Sequence, residues 1–531
     1  MNNRLRSPTW ALGLALALTT LVHAPGIVPA LSGDDFVHVY RNRPDSVAWV
    51  DLFVKPDGRE YRPLVRSSLL IDSRLWASRF EGFHLTNLSL HLANTALLFL
   101  LVMSYGISAP GAFTAAALLG LHPIHSYSVH AVMGRTDLLS TLFALAALLA
   151  ATHRSNLGAA GSTLGAVLSK ENGVVVPLLL AARYWLLRRA GRQDPDLDQS
   201  FRPVAASAAV VLTYLSLRWA LAPPNLTDLA PYLQLRPPEL AKNLILSLGA
   251  LVVPAGHLRI RIWLEAAPAM ILGAAAGVLV AAGGILLWRF RSRLRFPEST
   301  RFGVTWVVIA LLPYLSLFQR RFLYMSSAGM ALAVGGLLDR VRSLRLRFGV
   351  TGTLLAVLAV ASVHSSLRWR AAGAESASLV REIAEQVAHA PADVWWVMDT
   401  PNGREEAHLF THDSLRYAVG IELGRLPEVS PVIRLQLAAG SAPRIDRQSS
   451  RSVGIRLRPE LGEWFVFDAP EVLERGGRFL KVGTRMDRGP FRIEVTAADS
   501  WGRVSEVTVS WTDLPPGHRV LFVNWGDTDG A

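Results

Sequence analysis

The chain has 531 residues, of which 51% are hydrophobic, and its mean hydropathy is +0.30. Repeated long apolar runs in such a composition indicate a polytopic membrane protein and exclude an ordinary soluble domain. The net charge of +13 is uneven, because residues 1–370 hold 36 Lys and Arg against 18 Asp and Glu, whereas residues 371–531 hold 18 against 23. Basic loops between apolar helices are typical of the positive-inside bias, so we expect no nucleic-acid partner. The lack of cysteine excludes disulfides and thiolate metal sites.

Apolar runs along residues 1–370 predict about eleven membrane-spanning helices. The first run follows Arg4 and Arg6 and is too long for a signal-peptide core, so we interpret it as a retained span. The expected spans are residues 10–31, 84–104, 108–121, 137–152, 157–169, 172–187, 203–222, 268–288, 302–318, 324–338 and 349–365. Segment 240–253 is apolar but short, and we expect it to be re-entrant or interfacial within an outer loop at 223–267.

Three arginine clusters predict the orientation of the chain in the membrane. With the N-terminus in the cytoplasm, all three fall on the cytoplasmic side, as the positive-inside bias requires. The first loop, residues 32–83, then lies outside, together with residues 371–531. The clusters are Arg183/Arg188/Arg189/Arg192, Arg289/Arg291/Arg293/Arg295 and Arg340/Arg342/Arg345/Arg347.

The pattern changes near Ser376 from apolar runs to short alternating segments. A helix is expected at about 377–389, followed by strands that are rich in β-branched and aromatic residues. Residues 371–531 are therefore predicted to form a β-rich, sandwich-like extracytoplasmic domain. The segments that suggest strands are 395–398, 464–467, 491–495 and 507–511.

Two adjacent acids, Asp34 and Asp35, follow the first span. A carboxylate close to the low dielectric of a membrane keeps a basicity that bulk water weakens, which suits a general base. The alternative is a helix N-cap followed by a first-turn acid, which the preceding Ser32 and Gly33 favour.

Cationic residues recur at the outer ends of the predicted spans. Arg62 stands beside a proline and is able to hold a phosphate through two hydrogen bonds. Lys170 and Glu171 end another apolar segment, where the lysine either contacts a lipid phosphate or anchors the interface. Arg320 and Arg321, followed by Tyr324, sit outside against the charge bias, which indicates either an anion site or headgroup anchoring.

Histidines mark the second span and the loop that follows the third. His84 and His91 lie on one helical face, an arrangement that helix packing alone explains. His122 and His125 lie on either side of a proline. The spacing of these histidines does not suit a metal site, so no bound metal is expected. We interpret this loop as the polar floor of a site, in which Arg135 and Asp137 pair to set its shape.

Taken together, these tracts resemble the bacterial relatives of the transmembrane and tetratricopeptide-repeat O-mannosyltransferases. That family belongs to the GT-C superfamily of glycosyltransferases, which use polyprenyl-phosphate-linked sugars. The order and spacing of the tracts hold over roughly residues 30–340, but residues 371–531 show no 34-residue helical repeat. The matching tracts are 33–35, 61–64, 83–94, 121–137, 168–171 and 321–324.

The resemblance implies a GT-C membrane module over residues 1–370, placed in a bacterial inner membrane. It further implies an inverting transfer of a hexose, with mannose the expected sugar, from a polyprenyl-phosphate donor to a hydroxyl on a protein, glycan or lipid acceptor. The base role falls on Asp35 or Asp34, and the donor-phosphate role on a set of outer residues. That set is Arg62, Lys170, Arg320, Arg321 and Tyr324, with His84, His91, His122, His125, Arg135, Asp137 and Glu171 shaping the site.

Two other functional classes remain open. A lipid-linked-glycan transporter or flippase would also place charges within a helical bundle. A non-catalytic membrane scaffold would merely present the β-rich domain. No cofactor is expected, a divalent cation is left open, and membrane lipids are partners under every interpretation.

Overall fold

The computed structural model describes most of the first 389 residues and separate stretches of the remainder. The predicted span 268–288, the cluster Arg289–Arg295, Arg192 and the strand segment 464–467 lie outside the described residues. The described ranges are 8–56, 60–189, 201–221, 237–252, 296–316, 318–389, 394–399, 403–404, 407–408, 410, 414–426, 433–435, 444–449, 451–456, 482–488, 491–498, 504–511 and 519–524.

The chain divides into two compact units. The first comprises Met1–Pro29, Asn42–Leu229 and Leu233–Arg370, and the second comprises Ala30–Arg41, Ala230–Tyr232 and Ala371–Ala531. The stretch Ala30–Arg41 therefore belongs to the same unit as the C-terminal region.

Helices make up the described part of the first unit. Helix α2 (Asp35–Arg41) belongs to the second unit, and α15 enters it after Arg370. The other helices are α1 (Pro8–His23), α3 (Asp51–Val54), α4 (Pro63–Trp76), α5 (Phe80–Ser104), α6 (Ala109–Leu121), α7 (Ser126–His130), α8 (Arg135–Thr152), α9 (Asn156–Ser169), α10 (Val176–Arg189), α11 (Arg202–Leu221), α12 (Pro237–Val252), α13 (Glu298–Leu311), α14 (Tyr324–Leu338) and α15 (Leu344–His389).

Six stretches of the described chain are helical, long and apolar enough to cross a membrane. Two shorter apolar helices, Ala109–Leu121 and Leu240–Val252, accompany them. The protein is thus a polytopic helical membrane protein. The predicted number of about eleven spans was larger because several apolar runs, such as α9 with its 14 residues, form helices shorter than a bilayer requires. The six stretches are Pro8–Gly26, Phe80–Ser104, Val132–Thr152, Arg202–Leu221, Arg320–Leu338 and Leu344–His389.

Small residues bring the helices of the first unit close together. A Cβ on Gly303 of α13 would overlap the backbone of α14 at Gly329 and Ala333. Gly335 of α14 approaches the Gly111 and Ala115 region of α6 in the same way. Such contacts replace the hydrophobic driving force that membrane helices lack, because backbones at close range gain dispersion contacts.

Helix α15 corrects the predicted boundary near residue 376. A separate helix at 377–389 was expected, but one continuous helix of 46 residues includes both this segment and the predicted span 349–365. No glycine or proline falls between Ser365 and His389 except Gly373, so helix propensity is sufficient to carry the helix through.

The described part of the second unit contains two larger sheets and, besides α2 and the end of α15, helix α16 (Ser414–Glu422). A five-stranded antiparallel sheet has the order β5-β6-β9-β8-β7, and a three-stranded parallel sheet has the order β10-β1-β4. The strands are β1 (Val394–Asp399), β2 (Gly403–Arg404), β3 (Ala407–His408), β4 (Ile433–Leu435), β5 (Arg444–Ser449), β6 (Ser452–Arg456), β7 (Arg485–Arg488), β8 (Phe491–Ala498), β9 (Val504–Trp511) and β10 (Arg519–Asn524).

The parallel sheet departs from the predicted sandwich, in which both sheets would be antiparallel. Strand β1 pairs in parallel with β10, from which it is separated by more than 100 residues, and with β4. Alternation within a strand reports which residues share a face, but it does not report the direction of a partner that is distant in sequence.

Candidate active site

Short 3-10 helices interrupt the ends of several long helices and carry most of the predicted site residues. They span Pro123–His125, Val132–Gly134, Glu171–Val175 and Arg320–Leu323. Backbone of this kind at the end of an apolar helix is tolerated where it is enclosed by protein or lines a cavity. These segments therefore bring polar side chains from distant parts of the chain to one end of the first unit.

Lys170 and Asp137 form a buried ion pair in this region. The Lys170 Nζ lies 2.6 Å from Asp137 Oδ1, and both side chains are almost fully enclosed. Lys170 directly follows α9, and Asp137 lies in the first turn of α8. A buried charge pair requires good geometry to offset its desolvation, so the short contact fixes these two helix ends against each other.

An aromatic pair, Tyr314 and Phe322, lies beside the ion pair. Their rings stack with centroids 4.4 Å apart and planes inclined by 11°. Lys170 Nζ lies 4.8 Å from the Phe322 centroid, and Arg321 Cζ lies 5.3 Å from the same centroid. Two of the predicted phosphate-binding cations thus contact one ring.

The guanidinium of Arg321 is held by neutral side chains as well. It donates to Gln319 Oε1 at 2.6 Å through Nε and to the hydroxyl of Tyr127 at 2.9 Å through one terminal nitrogen. Arg320, its neighbour, is half-buried in the same 3-10 helix. A guanidinium held in this way is oriented before any ligand arrives.

Arg62 forms a second charged group with acidic partners. Its Nε and terminal nitrogen donate to the Glu171 carboxylate at 3.1 and 2.9 Å, and another nitrogen lies 2.8 Å from Glu60. Arg218 approaches the same Glu171 at 3.6 Å. Burial alone would raise the pKa of Glu171, but the Arg62 charge and its hydrogen bonds hold that pKa below its usual value.

The electrostatics of Lys170 connect the two groups. Burial lowers the pKa of Lys170, and although Asp137 opposes this effect, Arg62 and Arg321 lower the pKa further. Arg62 contacts Glu171, the residue directly after Lys170, and Arg321 lies over the same Phe322 ring as Lys170. Arg62, Lys170 and Arg321 accordingly converge at this end of the first unit.

The predicted pairing of Arg135 with Asp137 was wrong. Arg135 contacts Asp72 of α4 at 2.6 Å and donates to Asn87 Oδ1 at 2.8 Å, while Asp137 pairs with Lys170. Residues two apart on a helix point to nearly opposite sides, so Arg135 and Asp137 face different neighbours. The sequence carried an overlooked signal, because Asp72 lies on the same face of α4 as the buried Val65 and Leu69.

The polar stripe of α5 lies inside the helical bundle. His84, Asn87, His91 and Asn94 are all buried. Asn87 donates to the carbonyl of Ala131 at 2.8 Å, and Asn94 donates to that of Leu138 at 3.0 Å. These bonds hold the 3-10 segment and the start of α8 against α5.

His91 and His125 meet at Tyr324. The Tyr324 hydroxyl lies 2.6 Å from His91 Nδ1, and the His125 ring meets the Tyr324 ring at 4.5 Å. His125 Nε2 lies 3.1 Å from the hydroxyl of Ser327. Tyr324, which was predicted to bind phosphate, is thus buried among histidines.

Two further histidines, His23 and His130, extend this network. His23 Nδ1 lies 3.5 Å from His130 Nε2, and the His23 ring meets His91 edge-on at 5.2 Å. His122 bonds instead to the backbone carbonyl of Leu251 at 3.0 Å. Within the part of the chain that the structure describes, no three His, Asp or Glu side chains are arranged to hold a metal ion.

Two glycines allow the site loops to fold tightly. A Cβ on Gly134, which directly precedes Arg135, would overlap the Ser128 backbone, and a Cβ on Gly173 would overlap the backbone of α9 at Ala166. Glycine removes these overlaps, so the loops that carry Arg135 and Lys170 depend on glycine at these two positions.

The predicted bases Asp34 and Asp35 belong to the second unit, whereas the cations described above belong to the first. The Asp34 carbonyl accepts hydrogen bonds from the amides of Val37 and His38 at 3.1 and 3.3 Å, so it begins helix α2. Asp35 is 1% exposed, and Asp34 is half-buried.

The opposite ends of the helices carry a different charged group. Arg183 donates to Thr152, the last residue of α8, at 3.2 Å. Arg347 pairs with Asp339 at 2.7 Å beside Ser108, where α6 begins. Since α8 starts at Arg135, the length of that helix separates these arginines from the candidate site.

Comparison with known proteins gives partial matches in sequence. No family model matches the chain. Protein O-mannosyl-transferase Tmtc1 of Drosophila melanogaster is 32% identical over 143 residues, which is 26% of this chain and 16% of that protein. Human protein O-mannosyl-transferase TMTC3 is 34% identical over 95 residues, 18% of this chain and 10% of that protein. The predicted resemblance is confirmed over this partial length.

Two solved structures are also similar over longer stretches. ArnT from Cupriavidus metallidurans, bound to undecaprenyl phosphate, covers 95% of this chain and 98% of its own at 12% identity, with a TM-score of 0.44. The apo oligosaccharyltransferase of Archaeoglobus fulgidus covers 81% of this chain and 65% of its own at 13% identity, with a TM-score of 0.43. The chain itself spans between 10% and 20% of the length of the curated relatives that it matches.

Proposed function

We propose that this chain is a membrane glycosyltransferase of the GT-C type. It moves a hexose, mannose being the expected sugar, from a polyprenyl-phosphate donor to an acceptor hydroxyl on the extracytoplasmic side of the membrane. One observation carries the proposal: Arg62, Lys170 and Arg321 converge from distant stretches of the chain at one end of the helices. The partial identity to protein O-mannosyl-transferases supports the choice of sugar.

The leaving group of this reaction is a phosphate that gains charge as its bond to the sugar breaks. Fixed cations stabilise such a charge without reorganisation, which makes them effective in the transition state. Arg321 is oriented by Gln319 and Tyr127, so its planar fork suits a phosphate oxygen pair. Arg62 is held by Glu171, the residue that follows Lys170, and Arg320 adds a further positive charge.

Lys170 has a different part in the same site. Its ammonium group is enclosed with the Asp137 carboxylate, and it lies on the face of Phe322. In this arrangement Lys170 fixes the ends of α8 and α9 and keeps positive charge beside the ring that Arg321 also contacts. The histidine and tyrosine groups behind it, His91, His125 and Tyr324, shape the floor.

The acceptor hydroxyl needs a base, and we assign that role to Asp35, with Asp34 as the alternative. The acceptor oxygen attacks the anomeric carbon and its proton passes to the carboxylate. At the same time the bond between the anomeric carbon and the phosphate oxygen breaks, and polyprenyl phosphate leaves with the electron pair. Attack opposite to the leaving group inverts the anomeric centre, and no protein nucleophile is required.

Charge distribution supports the outer side of the membrane as the place of reaction. Arg183 and Arg347 lie at the helix ends opposite the candidate site. From the positive-inside bias we infer that the end with basic loops faces the cytoplasm and that the candidate site lies outside. A bacterial inner membrane fits this arrangement.

Sugar transfer by the purified full-length protein tests the proposal. The protein in detergent or lipid discs is given a radiolabelled mannosyl polyprenyl phosphate and a hydroxyl acceptor mixture, with the Asp34→Asn/Asp35→Asn double variant as control. Release of polyprenyl phosphate with label on the acceptor is the expected result. Movement of the intact donor across the vesicle membrane without cleavage would identify a flippase. The absence of both activities would favour the scaffold interpretation.

A further inference from the structure

The helix that carries the candidate base contacts the C-terminal region through aromatic rings. Phe36 of α2 stacks on Phe410, with ring centroids 5.9 Å apart and planes inclined by 21°. One helical turn later, Tyr40 meets the ring of Tyr417 edge-on at 5.5 Å. Aromatic pairs in these geometries add stabilisation beyond the area that they bury.

A cation completes the contact. Arg41 donates to the Tyr417 hydroxyl at 3.3 Å through Nε and at 3.0 Å through a terminal nitrogen, across 376 residues of sequence. Its Cζ also lies 5.3 Å from the Tyr417 ring centroid. Tyr417 lies on α16, whose residues Leu415, Ala418 and Val419 are buried.

Helix α2 is too short to hold its own orientation. It has seven residues, and helices of that length are not stable alone in water. The helix begins two residues after Gly33, whose positive φ of 58° turns the backbone between α1 and α2. The orientation of α2 must therefore come from what it packs against, and Phe36 and Tyr40 supply that packing.

We propose that Phe410 and Tyr417 are positioning residues for sugar transfer. By holding α2, they set the direction of the carboxylate of Asp35, the residue directly before Phe36. The C-terminal domain is thereby part of the catalytic machinery and not only a surface for acceptors. This inference rests on the proposed function, because Asp35 acts as a base only there.

Kinetics of single variants give the first test. Phe410→Ala is expected to lower kcat about 10- to 100-fold, since a shift of about 1 Å in a reacting group has effects of that order. The KM for the donor is expected to stay unchanged, because the donor cations belong to the first unit. Phe410→Leu keeps apolar volume and should recover part of the rate, and Tyr417→Phe keeps the ring but removes the acceptor of the Arg41 bonds.

Arg416→Ala is the matched control, because Arg416 is exposed on α16 beside Tyr417. It should retain the parental kcat. A double variant separates positioning from a general loss of stability. If Phe410 acts through Asp35, then Asp35→Asn/Phe410→Ala will be no slower than Asp35→Asn. A parental kcat in Phe410→Ala, or an additive loss in the double variant, would overturn the positioning role.

The two proposals fail in different ways. An inactive Asp35→Asn together with a fully active Phe410→Ala would remove only the positioning role. Full activity in Asp35→Asn would remove the assignment of the base, and the positioning role with it, while leaving transfer itself intact.

Cross-linking tests the contact without any assay of activity. The chain has no cysteine, so a Tyr40→Cys/Tyr417→Cys variant carries two thiols only. In intact membranes a short bifunctional thiol reagent should join them. The pair Tyr40→Cys/Arg416→Cys is the control and should react much less. Equal reaction of both pairs, or none, would contradict the docking of α2 on α16.

Discussion

Lys170 Nζ and Asp137 Oδ1 lie 2.6 Å apart, although 33 residues separate the two in sequence. Both side chains are enclosed, so neither charge has water to stabilise it in the absence of the other. Lys170 thus carries an internal counter-charge, and Arg321 nearby is oriented by Gln319 and Tyr127.

Breaking the Lys170 pair on one side should destabilise the protein strongly. Lys170→Met leaves a buried carboxylate without its counter-charge, at a cost of about 3–5 kcal/mol. The double variant Lys170→Met/Asp137→Leu removes both charges and should recover much of the loss. Thermal unfolding in detergent measures both effects. If the single and double variants unfold at the same temperature, the pair does not stabilise the fold.

The stable double variant also tests what Lys170 does in the reaction. If the ammonium group helps to hold the donor phosphate, Lys170→Met/Asp137→Leu should fold but transfer sugar slowly. Parental turnover in this variant would limit Lys170 to holding α8 and α9 together.

Replacing Asp34 or Asp35 separates the two candidates for the base. Asp35→Asn should abolish most transfer at unchanged expression, because general-base catalysis contributes about 10²- to 10⁴-fold. Asp34→Asn should have a smaller effect, since the Asp34 carbonyl that begins α2 is kept in this variant. The measurement is label transfer per mole of purified protein, and full activity in both variants would remove the base assignment.

Arg321 should act in the transition state more than in folding. Arg321→Ala is expected to lower kcat at least about 10-fold while the amount of folded protein stays unchanged. Arg321→Lys should recover little, because a lysine lacks the planar fork. Arg345→Ala, at an exposed position, is the control. Loss of folded protein instead of turnover would make Arg321 a structural anchor.

The Arg62 and Glu171 contact predicts sensitivity to acid. Burial raises the pKa of Glu171, but the charges of Arg62 and Arg218 together with the hydrogen bonds to the carboxylate hold that pKa below its usual value in the folded protein. A group with a lowered pKa stabilises the folded state above its unfolded pKa, about 4.3 for Glu, and the stabilisation is lost as pH falls through the folded value. Stability should therefore be constant near neutral pH and fall below about pH 4.3.

Glu171→Gln isolates this contribution, because it keeps the shape of the side chain but removes the charge. The variant should show a smaller loss of stability in acid than the parent when thermal unfolding is followed between neutral and acidic pH. Identical acid profiles for the two proteins would contradict the role of this pair.

Gly134 should tolerate no side chain. Its Cβ would overlap the backbone of Ser128, and overpacking of this kind costs about 1–3 kcal/mol. Gly134→Ala should therefore lower thermal stability, along with the activity that depends on Arg135. Gly161→Ala is the control, because Gly161 of α9 has open space around it and alanine favours a helix. Equal effects of the two substitutions would contradict the steric argument.

The amino-acid sequence by itself determined the membrane class, the approximate positions of most described helices and the residues that mark the candidate site. Apolar runs and positive charges are local signals, because the composition of each segment decides whether that segment lies in lipid or in water. Polar residues at helix ends were visible for the same reason. The polar stripe of α5 was also readable, because residues spaced along one helix share a face whatever the rest of the chain does.

Only the tertiary structure decided which of these residues meet. Asp137 pairs with Lys170, and Arg135 pairs with Asp72, because the packing of separate helices sets the neighbours of each face. The parallel direction of the strands beside β1 and the contact of α2 with α16 were likewise decided by partners far away in the chain. Local pattern reports which side of an element is buried, whereas the identity of the partner depends on the global arrangement that minimises unpaired charge and empty space.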